Sequence, residues 1–336
     1  MRFVIMSLGS IGQRHLRNLR ATYPDAEIAV WRRSGGADEA PPAGADRLCL
    51  SLEEVLAFLP EAAIIASPAS VHLEAALALA GAGVHLLVEK PLSVSAVGID
   101  ALIHLCQARD VILMVGYNLR FMPSLMRLRE LVRAGAIGQV LSARAEVGQY
   151  LPDWRPAADY RQGVTARAAL GGGVLLELSH DIDYLLWTLG LPARVTAAGG
   201  KYSDFDWDVE DLAELLLEYD NPRRLVSIHL DMLQRSPTRT CRVVGSEGVL
   251  LWDCIADRLD LFQAADRQWR QVDVLRLDDK NLMYIDQLTA FVDCVRTGRQ
   301  PTCTGGEGRQ VLQVVDAARV SIQAGQRVDI DWEGRA

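Results

Sequence analysis

The tripeptide Glu89-Lys90-Pro91 closes an apolar run, Val84-His85-Leu86-Leu87-Val88. Such a run reads as a buried strand. A lysine and a glutamate at its carboxyl end are not core residues, and in an open α/β sheet that end is where ligands bind. A second constellation is Gly171-Gly172-Gly173-Val174-Leu175-Leu176-Glu177-Leu178-Ser179-His180-Asp181-Ile182-Asp183-Tyr184. Glu177 and Asp183 each stand three residues from His180, a spacing that makes helical neighbours. Histidine is the side chain most readily poised as a base near neutral pH. A carboxylate beside it holds its tautomer and supports its charged form. The same three residues also suit a metal, and a histidine on an apolar helix is commonly structural.

A third candidate is the turn Ser7-Leu8-Gly9-Ser10-Ile11-Gly12, which matches G-x-G-x-x-G except that serine replaces the first glycine. Gly9 lets the backbone approach a pyrophosphate, and Gly12 lets the next helix pack closely on the strand. The amino end of that helix, with free N–H groups and a positive dipole, then faces the phosphates, and Ser10 and Ile11 of the turn are offered to the cofactor with the two glycines. Following Trp31, the stretch Arg32-Arg33-Ser34 contains no acid to bond the ribose hydroxyls of NAD. Arg32, Arg33 and Ser34 suit a 2′-phosphate, so NADP is expected ahead of NAD. The alternative there is a solvated basic loop.

Alternating strands and helices must position these residues. Strands are predicted at Phe3–Met6, Glu27–Trp31, Ala63–Ser67, Val84–Val88 and Val111–Val115, with helices at Gln13–Ala21, Leu52–Phe58, Val71–Ala80 and Val97–Arg109. This alternation predicts an α/β fold with a parallel, doubly wound sheet. After Tyr117-Asn118-Leu119-Arg120 the pattern changes. A helix is predicted over Ser124–Ala134, a strand over Gln139–Gln149 and a helix from Gly173 to Leu189. Strands at Arg194–Tyr202, Leu212–Tyr219, Leu225–Met232, Arg239–Val244, Val249–Asp253 and Arg258–Gln263, many joined by short turns, predict an antiparallel sheet. Helices are expected at Met283–Arg296 and Glu307–Ala324.

A chain of 336 residues suits two domains, and half of it is hydrophobic, as in a soluble globular protein. The net charge of -8 argues against nucleic acid as a partner. No apolar stretch reaches membrane-spanning length, and the first residues lack a signal-peptide pattern. Six cysteines without C-x-x-C spacing read as reduced, buried thiols, which suits a cytoplasmic location.

With these sites in view, the chain resembles the Gfo/Idh/MocA family of NAD(P)-dependent oxidoreductases over nearly its whole length. The marks are the N-terminal turn, Ala66-Ser67-Pro68-Ala69 with His72, Val88-Glu89-Lys90-Pro91, Gly116-Tyr117-Asn118-Leu119-Arg120-Phe121, the triple glycine with His180 and Asp183, and the stretch Gly305–Ala318. The resemblance implies a Rossmann domain over residues 1–121 and an α/β domain over 122–336 with an open, mostly antiparallel sheet. In that arrangement the helix near 307–324 is a candidate to pack back on the first domain. The second domain's sheet is expected to join copies into a homodimer or homotetramer. Lys90 matches the family's active-site lysine, Pro91 a proline that often follows a cis bond, and His180 the acid/base histidine.

The resemblance also places Ser67, Pro68, His72, Glu89 and Asn118 along the cofactor. Tyr117, Arg120, Glu177 and Asp183 are expected near the substrate. The loop containing Trp154, Arg155 and Tyr160 has groups that suit a polyol. One departure stands out: the acid usually four residues before the histidine is here Glu177, three before it. The implied activity is hydride transfer between a nicotinamide and a hydroxyl or carbonyl carbon of a sugar, cyclitol or derivative. No resident metal is expected. The alternatives are a carbonyl or imine reductase of a non-sugar substrate, a metal-dependent enzyme using Glu177, His180 and Asp183, or a non-catalytic nucleotide-binding protein.

Overall fold

The computed structural model describes residues 1–32, 40–154 and 159–332. Arg33, Ser34 and Arg155 lie outside the described residues. The chain forms two compact units, Met1–Asn118 with Lys280–Arg309, and Leu119–Asp279 with Gln310–Ala336.

The first unit is built on six parallel strands: β1 (Arg2–Met6), β2 (Glu27–Trp31), β3 (Arg47–Cys49), β4 (Ala62–Ile65), β5 (His85–Val88) and β6 (Leu113–Val115). Their order is β3-β2-β1-β4-β5-β6, that of a doubly wound dinucleotide fold. Strand β1 lies between β2 and β4, and Phe3–Met6 are buried. Coverage on both faces is why it reads as an unbroken apolar run. The helices are α1 (Ser10–Thr22), α2 (Leu52–Ala57), α3 (His72–Gly81) and α4 (Ile99–Ala108). In α1 the buried positions Gly12, His15, Leu16, Asn18 and Leu19 make one helical face.

The second unit opens with α5 (Pro123–Arg133). Its sheet comprises β7 (Val140–Gly148), β8 (Arg194–Gly200), β9 (Leu212–Asp220), β10 (Arg223–Asp231), β11 (Thr238–Gly245), β12 (Gly248–Asp253), β13 (Arg258–Gln263), β14 (Gln268–Gln271) and β15 (Val328–Asp329). The order is β14-β13-β12-β11-β7-β10-β9-β8-β15, antiparallel throughout except between β7 and β10. Short helices α6 (Leu151–Trp154) and α7 (Val174–Glu177) precede α8 (His180–Leu189). Helices α5, α7 and α8 pack on this sheet. Val226, Ile228 and Leu230 of β10 are buried, and so are Ala213, Leu215 and Leu217 of β9. Leu216 and Leu225, on the other face of those strands, are 42% and 48% exposed. This period-two alternation marks a sheet covered on one face.

The chain then returns to the first unit in α9 (Leu282–Thr297), which packs on α1. Asn18 and Asn281 exchange amide hydrogen bonds of 3.2 and 2.9 Å. The opening residues of α10 (Gly305–Ala324) also group with the first unit, where Arg309 Nε lies 3.0 Å from Asp100 Oδ1.

Besides this grouping of α9 with the first unit, two features differ from the sequence expectation. The short strands β3, β14 and β15 carry no readable alternation. The helix expected from Gly173 to Leu189 is two helices, α7 and α8. At their joint Ser179 N–H donates to Leu176 O and Asp181 N–H to Leu178 O, so the chain tightens to i→i+3 bonding. The three-residue step from Glu177 to His180 is therefore not an α-helical step.

Candidate active site

The turn after β1 lies where the strand order reverses, between β1 and β4, the place at which such sheets bind ligands. Ser7 holds a φ of +73°, in the left-handed region that glycine adopts without strain. Its N–H donates to Trp31 O at 2.9 Å, so the strained residue is tied to β2. Gly12 is buried, and a Cβ there would lie 2.1 Å from Ser7 O and 3.6 Å from Ala66 Cβ. Gly9 and Ser10 are exposed, and a Cβ on Gly9 would meet nothing within 4 Å. Open space over the amino end of a 13-residue helix fits a pyrophosphate. Arg32, at the end of β2, is half-buried and its N–H donates to Cys49 O at 3.0 Å.

The end of β5 is the second part of the site. Lys90 is half-buried and the Lys90–Pro91 bond is cis. Glu89 is buried: Oε1 lies 2.6 Å from His15 Nε2, and Oε2 accepts the Lys90 N–H at 3.2 Å. His72 is also buried. Its Nε2 lies 2.7 Å from Ser67 O and its Nδ1 2.9 Å from Pro91 O. It thereby ties the loop after β4 to the loop after β5. Burial holds the His72 pKa below its ordinary value despite those two carbonyls. Ser67 and Pro68 are half-exposed beside it, whereas Tyr117 and Asn118 are buried.

In the second unit His180 is the first residue of α8 and is half-buried, as is Glu177 at the end of α7. Gly173 has a φ of +104°, and a Cβ there would come within 2.5 Å of the Glu210 carboxylate. That carboxylate accepts the Leu175 N–H at 3.4 Å, and burial raises its pKa. The triple glycine thus admits a carboxylate against the start of α7. Asp183 and Arg120 form a two-point ion pair. Arg120 Nε donates to Oδ2 at 3.0 Å and Nη2 to Oδ1 at 2.7 Å, with both side chains 1% exposed. Asp181, on the same turn of α8, is buried with Arg239 Nη2 3.2 Å away, and burial raises its pKa.

Tyr160 and Trp154 are half-exposed. Tyr160 joins an aromatic group, with ring centroids 5.8 Å from Phe205 and 5.7 Å from Trp207. Asp211 fixes the loop carrying Phe205 and Trp207, accepting from Tyr202 N at 2.8 Å, Ser203 Oγ at 2.5 Å and Trp207 Nε1 at 3.3 Å. His15, Glu210 and Asp211 escape sequence reasoning, because each acts through a partner far along the chain or in an irregular loop. Among the described residues no three His, Cys, Asp or Glu side chains gather as metal ligands. All six cysteines are buried and none forms a disulfide. No helix among the described residues is long and apolar enough to cross a membrane.

A parallel sheet of this order, with a phosphate-type turn at its switch point, is the dinucleotide-binding type of fold, joined here to a second, mostly antiparallel domain. Residues 1–117 match the oxidoreductase family with NAD-binding Rossmann fold, and residues 125–251 match the GFO/IDH/MocA C-terminal domain. The chain belongs to the Gfo/Idh/MocA family of oxidoreductases. It is 26% identical over 350 residues to the myo-inositol 2-dehydrogenase of Thermotoga maritima, covering 98% of this chain and 99% of that one. It is 25% identical over 332 residues to the UDP-N-acetylglucosamine 3-dehydrogenase of Acidithiobacillus ferrooxidans, covering 96% and 98%. Among solved structures, a levoglucosan dehydrogenase complex with NADH superposes with a TM-score of 0.88 at 20% identity, covering 98% and 99%. GenD2 from gentamicin A biosynthesis, in complex with NAD, gives 0.81 at 26% identity, covering 98% and 96%.

Proposed function

We propose that this enzyme moves a hydride between a nicotinamide and a hydroxyl or carbonyl carbon of a sugar, cyclitol or sugar derivative. One observation carries the reading: a half-buried lysine ends β5 in a chain that matches, nearly end to end, two dehydrogenases named for ring polyols. The cofactor, when bound, accepts or returns the hydride. Gly9, Ser10 and Ile11 would hold its pyrophosphate by backbone N–H groups. Lys90 donates hydrogen bonds to the reacting oxygen and stabilises the negative charge that develops there. His180 takes the hydroxyl proton on oxidation and returns it on reduction.

Arg32 favours NADP as the cofactor, since a guanidinium at the end of β2 suits a 2′-phosphate. Glu177, Trp154 and Tyr160 are offered to the substrate's other hydroxyls. Arg120 and Asp183 serve the site by holding α8 rather than by reaching the substrate. A second copy of the chain covers the open sheet face around Leu216 and Leu225, and sedimentation equilibrium reads that association directly.

The test is a panel of sugars, cyclitols and sugar nucleotides followed by nicotinamide absorbance. On a substrate so found, Lys90→Ala and His180→Ala should each lower kcat by about 100-fold or more, with cofactor affinity held. Wild-type turnover by either variant sinks the role given to that residue.

A further inference from the structure

We propose that His15 is a positioning residue for Lys90, acting through the carboxylate of Glu89. The proposal rests on the reading of Lys90 given above. His15 lies on the buried face of α1, five residues into the helix that the glycine turn opens. It is fully buried, and Glu89 is 7% exposed. The carboxylate has two donors. One is His15 Nε2, 2.6 Å from Oε1, and the other is the Lys90 N–H, 3.2 Å from Oε2.

His15 Nδ1 has no partner among the described residues. The hydrogen-bond pattern therefore places the ring proton on Nε2, donated to Glu89. The Tyr284 ring stands edge-on to the imidazole, with centroids 6.2 Å apart. Space around the carboxylate is tight. A Cβ on Gly116 would lie 2.9 Å from both Glu89 Cα and Oε2. The strand end is laced on both sides, by Glu89 N–H to Ile65 O at 2.9 Å and Gly116 N–H to Val88 O at 2.7 Å.

A carboxylate so enclosed takes its place from its donors, and one of those donors is the backbone of Lys90. Removing the imidazole leaves a buried acid with a single backbone hydrogen bond, and such an acid moves toward water or a new partner. The Lys90 peptide moves with it. The helix that presents the phosphate turn thus also sets the lysine, so cofactor binding and the reacting-oxygen site share one rigid element.

Two variants separate positioning from filling. His15→Gln keeps an N–H donor at the same reach as Nε2, whereas His15→Leu fills the space without one. The Leu variant should lose about 10- to 100-fold in kcat, with the cofactor Kd within about threefold of wild type. The Gln variant should recover most of that loss. His15→Met replaces the Leu variant should the latter not yield folded protein. Wild-type kcat in the donor-free variant, or a Gln variant as slow as it, overturns the proposal. Crystal structures of both variants give an answer independent of turnover: Lys90 is displaced in the donor-free protein and restored in the Gln protein. An undisplaced Lys90 in the donor-free protein overturns positioning. Wild-type turnover by Lys90→Ala instead overturns the functional reading alone.

Discussion

Replacing Asp183 with asparagine should cost this protein a large part of its stability. The carboxylate and the Arg120 guanidinium are each 1% exposed and share two hydrogen bonds, 2.7 and 3.0 Å long. An asparagine amide at that position could still accept one bond, but the buried guanidinium would lose the negative charge that this carboxylate sets against it. Breaking such a pair from one side costs about 3–5 kcal/mol. The one charged hydrogen bond that asparagine cannot accept accounts for about 1.5–3 kcal/mol of that cost. A typical domain holds only about 5–15 kcal/mol in all. For a unit of this size each kcal/mol lowers Tm by about 2–4 °C, so the expected drop is about 6–20 °C. Urea melts and scanning calorimetry of Asp183→Asn, and of the cycle Arg120→Met, Asp183→Leu and Arg120→Met/Asp183→Leu, read the effect. The double variant should be markedly more stable than the sum of the single losses allows, since it removes both charges of the pair together. A Tm for Asp183→Asn within about 2 °C of wild type, or strict additivity in the cycle, refutes the reasoning.

Three further outcomes follow from the geometry. Gly12→Ala places a Cβ 2.1 Å from Ser7 O, so the turn must shift; a strain of about 1–3 kcal/mol predicts about a 5- to 150-fold rise in cofactor Kd by fluorescence titration, and an unchanged Kd refutes it. Arg32→Ala should weaken NADP(H) about tenfold more than NAD(H), whereas equal losses remove the 2′-phosphate argument. His229, bonded chiefly to Asp231 and also to Glu214, has its pKa raised from 6.5 to about 9. Its contribution to stability is therefore complete below about pH 6.5 and lost as pH rises through about 9. Glu214 is 53% exposed, so screening reduces the contribution to about 1–2 kcal/mol. The Tm gap between wild type and His229→Ala should narrow from pH 6 to pH 9.5, and a gap independent of pH refutes it.

Much of the fold was legible because its signals are local. Phe3–Met6 and Leu86–Val88 are buried on both faces and read as apolar runs. The strands of the second sheet alternate with period two because one face is covered. The three-residue strand β3 and the exposed β14 have too few inward-facing residues to show a period. The break between α7 and α8 was hidden because Leu178 and Ser179 are both buried and continue the apolar pattern, while the backbone changes its bonding beneath it. The return of α9 to the first unit was hidden too: an apolar face shows that a helix is covered, not by what.

The same reasoning explains which parts of the site could be read. Lys90 and His180 stand out because charged or titratable groups interrupt apolar runs. The buried pairs near them do not, because each forms across a long stretch of chain. His15 and Glu89 are 74 residues apart, and Arg120 and Asp183 are 63 apart. One member of each pair nevertheless sits beside a motif residue, Glu89 next to Lys90 and Asp183 one turn after His180. In sequence both acids read as possible ligands of the substrate or cofactor. In the structure Glu89 is buried against His15 and Asp183 against Arg120. A carboxylate within a turn of a reactive residue is therefore ambiguous in sequence, because its burial and its partners come from distant parts of the chain, and an acid enclosed with a matched donor has less capacity for a substrate hydroxyl.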